Sequence, residues 1–194
     1  MTAARESLLV ELVDAFGRSV GSATVADAHT APGRLHRAFS VFLVDADGRI
    51  LLQRRATTKT RFPLRWANAC CGHPAPGENV ADAAARRLVE EIGVPAVPLG
   101  EIGVYSYRAQ DAATGRVEHE YDHVLVGQLP AGCPLLPDPD EVADVRWVTP
   151  AELRAALTGG ELAFAPWVAG AAGRLFAHLA ARGHPDPPEQ SGGQ

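Results

Sequence analysis

Short apolar stretches separated by turn-forming residues dominate the chain and predict more strands than helices. The stretches that we interpret as strands are residues 8–16, 37–44, 49–54, 69–72, 101–108, 117–129 and 145–148. Two pairs of them are joined by turns of the kind that close hairpins, at Asp47-Gly48 and at Thr114-Gly115. The pattern therefore predicts two long hairpins.

Three other stretches have helical composition. Residues 79–91 are rich in Ala, Arg, Leu and Glu, contain no Pro or Gly, and precede Gly93 and Pro95, which end helices. Pro150 opens a second predicted helix at residues 151–157, and a third covers residues 166–182. Because the first helix lies between the two hairpins, we expect an α/β (α+β) fold, with a mixed sheet covered by helices on both faces.

Length and composition favour one globular domain. The 194 residues can bury a full core, and 46% hydrophobic with 21% charged residues is ordinary for a soluble protein. We expect a single domain at residues 1–182 that acts as a monomer. Residues 183–194 are rich in Pro, Gly and Gln, so we expect a disordered tail there.

The charge balance argues against nucleic acid as a partner. Lys and Arg number 18 and Asp and Glu number 23, which gives a formal net charge of −5 and no basic footprint. A phosphorylated small molecule remains a plausible partner on one condition. Metal ions and a few local Arg or Lys residues must then supply positive charge.

Cysteine usage and hydropathy favour a cytoplasmic protein that does not contact membranes. The three cysteines include the vicinal pair Cys70-Cys71, which makes a poor disulfide framework. No apolar run approaches the roughly 20 residues that span a bilayer. The apolar run at residues 8–13 is too short for a signal peptide and is interrupted by Glu11.

The segment at residues 72–94 carries a gapped motif. It reads Gly-His-Pro-Ala-Pro-Gly-Glu, seven further residues, and Arg-Arg-Leu-Val-Glu-Glu-Ile-Gly-Val. This arrangement resembles the Nudix box, a loop and helix whose carboxylates present Mg²⁺ to a diphosphate. Oxygen ligands completed by substrate phosphates suit Mg²⁺. The resemblance implies a Nudix-like α/β/α sandwich, whereas the simpler interpretation is an amphipathic helix with solvated charges.

One position departs from the Nudix box, because Arg87 stands where the box has Glu. Arg87 lies one turn before Glu91 on the same helical face. A cation there would repel additional metal ions and could pair with a carboxylate. Nudix hydrolases use several carboxylates to bind the metal ions that activate water. Arg87 therefore disfavours the activation of water at this site. Binding of a diphosphate through one ion at Glu91 remains compatible with the sequence.

Further candidate metal ligands lie outside the motif. Strand side chains alternate, so Glu118 and Glu120 share one face and His119 points to the other. Three imidazoles and two carboxylates would suit Mn²⁺, Mg²⁺ or Zn²⁺. The imidazoles that we consider are His29, His36 and His73. From spacing alone, each histidine is more readily explained as a structural or exposed residue.

Six segments spread along the chain resemble type I isopentenyl diphosphate isomerases. They are His29-Thr30, residues 34–40, residues 71–74, Gly77-Glu78, Glu118-x-Glu120 and Phe164-x-Pro166-Trp167. The similarity covers residues 8–180 approximately, and most of these segments lie outside the Nudix box. That family carries Arg at the position of Arg87, so the departure from the box fits the resemblance.

The resemblance implies roles for individual residues. In that family a metal is bound by the residues that match His29, His36, His73, Glu118 and Glu120. A second ion, Mg²⁺, arrives with the substrate and is held by the residue that matches Glu91 and by the backbone carbonyl of the one that matches Cys71. The positions that contact the diphosphate match Arg55, Lys59 and Arg86.

The implied reaction interconverts isopentenyl and dimethylallyl diphosphate. A proton is added at one carbon and another is removed two positions away, through a tertiary carbocation that water would destroy. The resemblance implies that Cys71 and Glu120 work on opposite faces of the substrate. Tyr107 matches a tyrosine that assists proton delivery near that glutamate, and Trp167 would face the carbocation.

Two other functions compete with the isomerase. One is a Nudix hydrolase of a nucleoside diphosphate derivative, which Arg87 and the aromatic residues around Trp167 disfavour. The other is a Nudix-fold binding module without catalysis, which the joint presence of all the implied catalytic positions disfavours. We expect Trp66 to be a core residue, and we assign no role to Cys70 or Cys133.

Overall fold

The computed structural model describes residues 5–182, so the predicted tail lies outside the described residues. Nine strands occur in this range: β1 (Leu9–Val13), β2 (Ser19–Thr24), β3 (His36–Val44), β4 (Ile50–Arg55), β5 (Trp66–Asn68), β6 (Cys70–Gly72), β7 (Leu99–Gln110), β8 (Val117–Gln128) and β9 (Val142–Val148). Four helices accompany them: α1 (Val25–Ala28), α2 (Val80–Ile92), α3 (Pro150–Gly159) and α4 (Val168–Ala181).

Strand β3 is the centre of the sheet. It runs parallel to β8 over its whole length, from the pair His36 and Glu120 to the pair Val44 and Gln128. Along its other edge it pairs in turn with β1, β6 and β4, all antiparallel. Strand β4 continues the sheet by pairing with β5 and β9, and β7 lies outside β8. The sheet is therefore mixed.

Alternation along β3 builds a core on each face of the sheet. Phe39, Val41 and Leu43 pack with the buried residues of α2, whereas Phe42 packs with those of α3 and α4. The α/β/α sandwich expected from the sequence is confirmed.

Local sequence sets the bounds of α2. The Asn79 side chain accepts hydrogen bonds from the backbone N–H groups of Ala81 and Asp82, which satisfies two donors of the first turn. At the other end Gly93 adopts the left-handed conformation, with φ of 69°. A Cβ atom there would lie 2.5 Å from the backbone oxygen of Leu136, so glycine is required.

The predicted elements are largely confirmed, with one pairing corrected and three short elements added. Strands β7 and β8 form the expected long hairpin. The expected hairpin of β3 and β4 pairs only at Val44 and Ile50, because β1 and β6 pair with the rest of that edge of β3. Strands β2 and β5 and the four-residue helix α1 were not predicted. None of the helices in residues 5–182 combines the length and the apolar composition of a membrane-spanning helix.

Candidate active site

Five side chains from four parts of the fold converge at one end of the β3–β8 pair. Their ligand atoms all lie within 4.8 Å of one another. The residues are His29 after α1, His36 at the start of β3, His73 after β6, and Glu118 and Glu120 on β8. The register of the parallel pair sets His36 directly beside Glu120. The group that the sequence analysis singled out is therefore assembled by the fold.

Backbone carbonyl groups fix the orientation of two of these imidazoles. His29 Nδ1 lies 2.7 Å from the carbonyl oxygen of Val25, and His36 Nδ1 lies 2.8 Å from that of Arg34. A carbonyl oxygen can only accept, so each Nδ1 carries a proton and donates it. In the neutral imidazole the Nε2 atom then has a free lone pair, as is usual for a histidine that binds a metal.

The arrangement fits a divalent cation. His29 Nε2, His36 Nε2 and Glu118 Oε2 are buried without a hydrogen-bond partner. His29 Nε2 nevertheless lies 2.8 Å from Glu118 Oε2. Two such acceptor atoms repel each other unless a proton or a cation lies nearby, and orphaned buried polar groups are rare. A set of imidazole and carboxylate ligands is suited to divalent metals, so this group could hold one.

Glu120 belongs to the group of candidate metal ligands and also contacts the aromatic residue Tyr107. The Tyr107 hydroxyl donates to Glu120 Oε2 at 2.6 Å, and His73 Nε2 lies 2.9 Å from Glu120 Oε1. Burial would raise the pKa of Glu120, but its contacts with His36 and His73 outweigh burial and hold the pKa well below its ordinary value. Glu120 is therefore an ionised carboxylate in this arrangement.

Cys71 lies across β3 from Glu120, because β6 and β8 pair with opposite edges of that strand. Burial, followed by the charge of Asp122, raises the pKa of the Cys71 thiol to about 12. Burial and the charge of Glu120 also raise the pKa of Tyr107 well above its ordinary value. Both groups are therefore protonated at neutral pH.

A cavity of about 480 Å³ opens between these groups. Its lining includes every predicted catalytic residue: Cys71, Glu120, Tyr107 and Trp167. The aromatic wall is continuous, since the Trp167 ring lies 5.7 Å from that of Phe62 and 6.2 Å from that of Tyr107. Trp167 is itself only 3% exposed. This wall is suited to contact with a small apolar group.

The lining of the cavity also carries the expected positive charge. Arg55, Lys59 and Arg86 all line it. The Arg55 guanidinium donates to the backbone oxygens of Phe62 and Arg61, and its carbon Cζ lies 5.3 Å from the Trp167 ring centroid. Arg86 is half-exposed and pairs with Glu78 at 3.0 Å. The local cations that a diphosphate requires are therefore present.

Glu91 lies in the same lining and is almost wholly buried. It is ion-paired with Arg87, lies 3.5 Å from Lys59 Nζ, and accepts a hydrogen bond from Gln53. Burial would raise its pKa, but the positive charges of Lys59 and Arg87 outweigh burial and lower the pKa to about 2. The prediction that Arg87 could pair with a carboxylate of the Nudix motif is confirmed.

Four other polar residues at the site had not been predicted. Asn68 contacts Cys71 and Trp167, Asp122 contacts Ser40, Arg61 pairs with Glu118, and Glu141 pairs with Lys59. Asp122 could have been found, because it continues the alternation of Glu118 and Glu120 along β8. The other three contact the site from loops or from the end of a short strand, where the sequence carries no periodic signal. Trp66 is a core residue, as expected, and Cys70 lies in the core on the other face of the sheet.

Comparisons with known proteins identify the class of protein to which the chain belongs. A NUDIX domain family model matches residues 34–168. Among solved structures, the Deinococcus radiodurans protein DR0079 is 21% identical with a TM-score of 0.65, and covers 84% of this chain and 96% of its own. A MutT protein from Methanosarcina mazei is 16% identical with a TM-score of 0.58, and covers 74% and 94%. These likenesses place the chain in the Nudix fold.

Similar proteins of known name identify one family among the Nudix proteins. Proteins named isopentenyl-diphosphate Delta-isomerase are 63% identical over 160 residues in Nocardia farcinica and 53% over 148 residues in Streptomyces coelicolor. The matches cover 82% of this chain and 90% of the relative in the first case, and 76% and 74% in the second. The chain therefore belongs to the isopentenyl-diphosphate Delta-isomerase family of Nudix proteins.

Proposed function

We propose that this protein interconverts isopentenyl diphosphate and dimethylallyl diphosphate. The observation that carries the proposal is the meeting of Cys71 and Glu120 in one cavity whose lining combines aromatic with cationic side chains. The identity of the curated relatives points to the same reaction.

The reaction dictates what the site must contain. An unactivated alkene is a very weak base, so its protonation requires a strong and well-placed acid in a dry pocket. A base must then remove a proton two carbons away. The intermediate tertiary carbocation would be captured by water. The site therefore needs an acid, a base, a stabiliser of positive charge and no hydrolytic water.

Cys71 and Glu120 are the proposed proton-transfer pair. They come from strands on opposite edges of β3, which allows them to act on opposite faces of a five-carbon chain. Tyr107, through its 2.6 Å hydrogen bond, holds the Glu120 carboxylate and can assist proton delivery. A divalent ion bound by the three histidines, Glu118 and Glu120 would withdraw charge from the Glu120 carboxyl and make it a stronger acid. We propose Mn²⁺, Mg²⁺ or Zn²⁺ for this site.

Trp167 is the proposed stabiliser of the carbocation. A desolvated cation over an indole ring gains about 2 kcal/mol or more. Phe62 and Tyr107 flank the ring and help to keep water away from it.

The diphosphate is proposed to bind along the cationic side chains of the cavity. Arg55, Lys59 and Arg86 would contact it, and a Mg²⁺ that arrives with the substrate would be held by Glu91 and the backbone carbonyl of Cys71. Lys59 lies between Glu91 and Glu141 in the free protein. Its ammonium group is therefore expected to change partners when the diphosphate enters.

A specific contact disfavours hydrolysis of the diphosphate. Arg87 pairs with both Glu90 and Glu91, which occupies two carboxylates of the Nudix motif with a fixed cation. A cluster of metal ions that activates water cannot form there without displacing Arg87.

Proton and phosphorus NMR of the protein with isopentenyl diphosphate and Mg²⁺ tests the proposal. We expect dimethylallyl diphosphate to form with both phosphorus signals of the diphosphate retained. Release of phosphate without isomerisation would favour the hydrolase instead. Unchanged substrate would favour the binding module.

A further inference from the structure

Asn68 is a fully buried side chain that joins two groups of the site. Its Oδ1 atom accepts hydrogen bonds from the Cys71 thiol at 3.2 Å and from the Trp167 indole N–H at 3.1 Å. Its Nδ2 atom donates to the backbone oxygens of Val41 at 3.1 Å and Cys70 at 2.8 Å. A side-chain amide offers two donors and two acceptor lone pairs, so the capacity of Asn68 is fully used.

These contacts also fix which way the amide points. The indole N–H can only donate, so its partner on Asn68 must be the oxygen. The two backbone carbonyls can only accept, so their partner must be the nitrogen. The reverse orientation would leave three mismatched contacts in a buried site: the indole N–H would face the amide nitrogen, and both carbonyl oxygens would face the amide oxygen.

We propose that Asn68 is a positioning residue that fixes the Cys71 thiol and the Trp167 indole relative to each other. This inference rests on the proposed function, in which the thiol transfers a proton and the indole faces the resulting positive charge. Cys71 lies on β6, whereas Trp167 precedes α4 and is 99 positions from Asn68 along the chain. One oxygen atom therefore ties together two groups that otherwise belong to separate elements.

The backbone contacts of Asn68 make it a rigid anchor. Val41 is in the central strand β3 and Cys70 begins β6, so the amide is held from two strands of the sheet. Because Asn68 is bound to the sheet at these two points, it fixes the position of the indole relative to the sheet. Proton transfer depends steeply on such placement, and an error of about 1 Å can cost about 10²-fold in rate.

The first test compares Asn68→Ala with Asn68→Asp. The alanine variant loses the shared oxygen, whereas a protonated aspartic acid keeps it and retains one donor. We expect Asn68→Ala to lower kcat about 10²-fold with KM within about threefold, because the diphosphate contacts are elsewhere. We expect Asn68→Asp to retain at least tenfold more of kcat than the alanine variant.

The second readout does not depend on activity. The chain has three tryptophans, Trp66, Trp147 and Trp167, so a ¹⁵N-labelled sample should give three indole N–H signals. Trp167→Phe identifies the signal of Trp167. We expect that signal to move in Asn68→Ala and to remain in place in Asn68→Asp, with the other two signals unchanged in both variants.

Asn79→Ala is the matched control, since Asn79 is the other asparagine of the chain and caps α2 outside the cavity. It should lower stability slightly while leaving kcat and the Trp167 signal unchanged. A folded Asn68→Ala variant with kcat within threefold of the unaltered protein, or with an unmoved Trp167 signal, would overturn the inference. If Asn68→Ala does not fold, a folded Asn68→Asp variant with a displaced Trp167 signal would overturn it equally. Absence of isomerisation by the unaltered protein would overturn the proposed function, and this inference with it.

Discussion

Arg87 is the single residue that most strongly limits the chemistry of this site. It is buried, it stands where the Nudix box has a carboxylate, and it pairs with Glu91, which is buried as well. Its neighbour Arg86 has the same side chain but is half-exposed and pairs with Glu78 and Glu90 at the surface. The two arginines therefore offer a comparison of a buried and an exposed ion pair one position apart.

Arg87→Ala should lower the free energy of unfolding by about 2–3 kcal/mol, because it leaves a buried carboxylate with Lys59 as its remaining cation. Arg86→Ala should cost less than about 1 kcal/mol, since exposed pairs contribute little. Urea denaturation of both variants measures the difference. Equal losses would contradict the claim that burial of the Arg87 pair matters.

Cys71 and Glu120 carry the proposed proton transfers, so their variants should lose turnover and keep the fold. We expect Cys71→Ala and Glu120→Gln each to lower kcat by about 10³-fold or more. Cys133→Ser is the control, because Cys133 does not line the cavity. Activity in either active-site variant within tenfold of the unaltered protein would refute the assigned role, provided that circular dichroism shows a native fold.

His36 and His119 test the metal site, because both lie near Glu120 and only one faces the ligand group. We expect elemental analysis of the dialysed protein to find about one tightly held ion per chain. His36→Ala should lose it, since the variant removes one of five ligands. His119→Ala should retain it. Loss of the ion from both variants, or from neither, would contradict the proposed ligand set.

At the scale of elements, the pairing of β3 with β8 and the loop before β3 build the ligand group. Gly33 lies in that loop with φ of 82°, and a Cβ atom there would lie 2.5 Å from Val117 Cγ1. Val117 precedes Glu118, and the backbone N–H of Val117 donates to the carbonyl oxygen of His29. A displacement at Gly33 would therefore reach two of the proposed metal ligands, His29 and Glu118.

Gly33→Ala should destabilise the protein by about 2–3 kcal/mol, through left-handed strain and the clash with Val117. It should also weaken metal binding. Gly115→Ala is the matched control: Gly115 has φ of 72° with no atom within 4 Å of its virtual Cβ, so only the strain of about 1–2 kcal/mol applies. Thermal unfolding and metal titration of both variants check this. Equal effects would show that the contact with Val117 does not matter.

The elements with strong periodic or composition signals could be predicted from the sequence. Helix α2 and the hairpin of β7 and β8 were predicted to within a few residues. Strand β2 was missed because Ser19–Thr24 is mostly small and polar with little burial, so it lacks an apolar alternation. Helix α1 was missed because four residues are too few for a helical period, although it presents His29 to the site.

The residues of the site also include some that could be predicted from the sequence and some that could not. The proposed metal ligands and proton-transfer residues were predicted because the segments that carry them resemble a known family. Asn68 could not be predicted, since its partner Trp167 is 99 positions away along the chain and is brought to it by tertiary structure. The pairing of Glu91 with Arg87 was foreseen from their helical spacing, but the approach of Lys59 from a loop was not.

At the scale of the whole molecule, charge is distributed unevenly. The chain has a formal net charge of −5, yet Arg55, Lys59 and Arg86 line the cavity. The requirement that a few local Arg or Lys residues supply positive charge is therefore met. A phosphorylated small molecule can bind in this cavity although the protein as a whole is acidic. A monomeric state, a cytoplasmic location and the lack of a nucleic-acid partner stay predictions.

Cys71 and Glu120 are proposed to transfer protons to and from the hydrocarbon part of the substrate, while the diphosphate stays intact. Incubation with isopentenyl diphosphate and Mg²⁺ in D₂O, followed by proton and deuterium NMR, tests this proposal most directly. We expect deuterium in the methyl group of dimethylallyl diphosphate that derives from the terminal methylene, with no free phosphate. Dimethylallyl diphosphate without deuterium, or phosphate release in its place, would refute the proposed proton transfers.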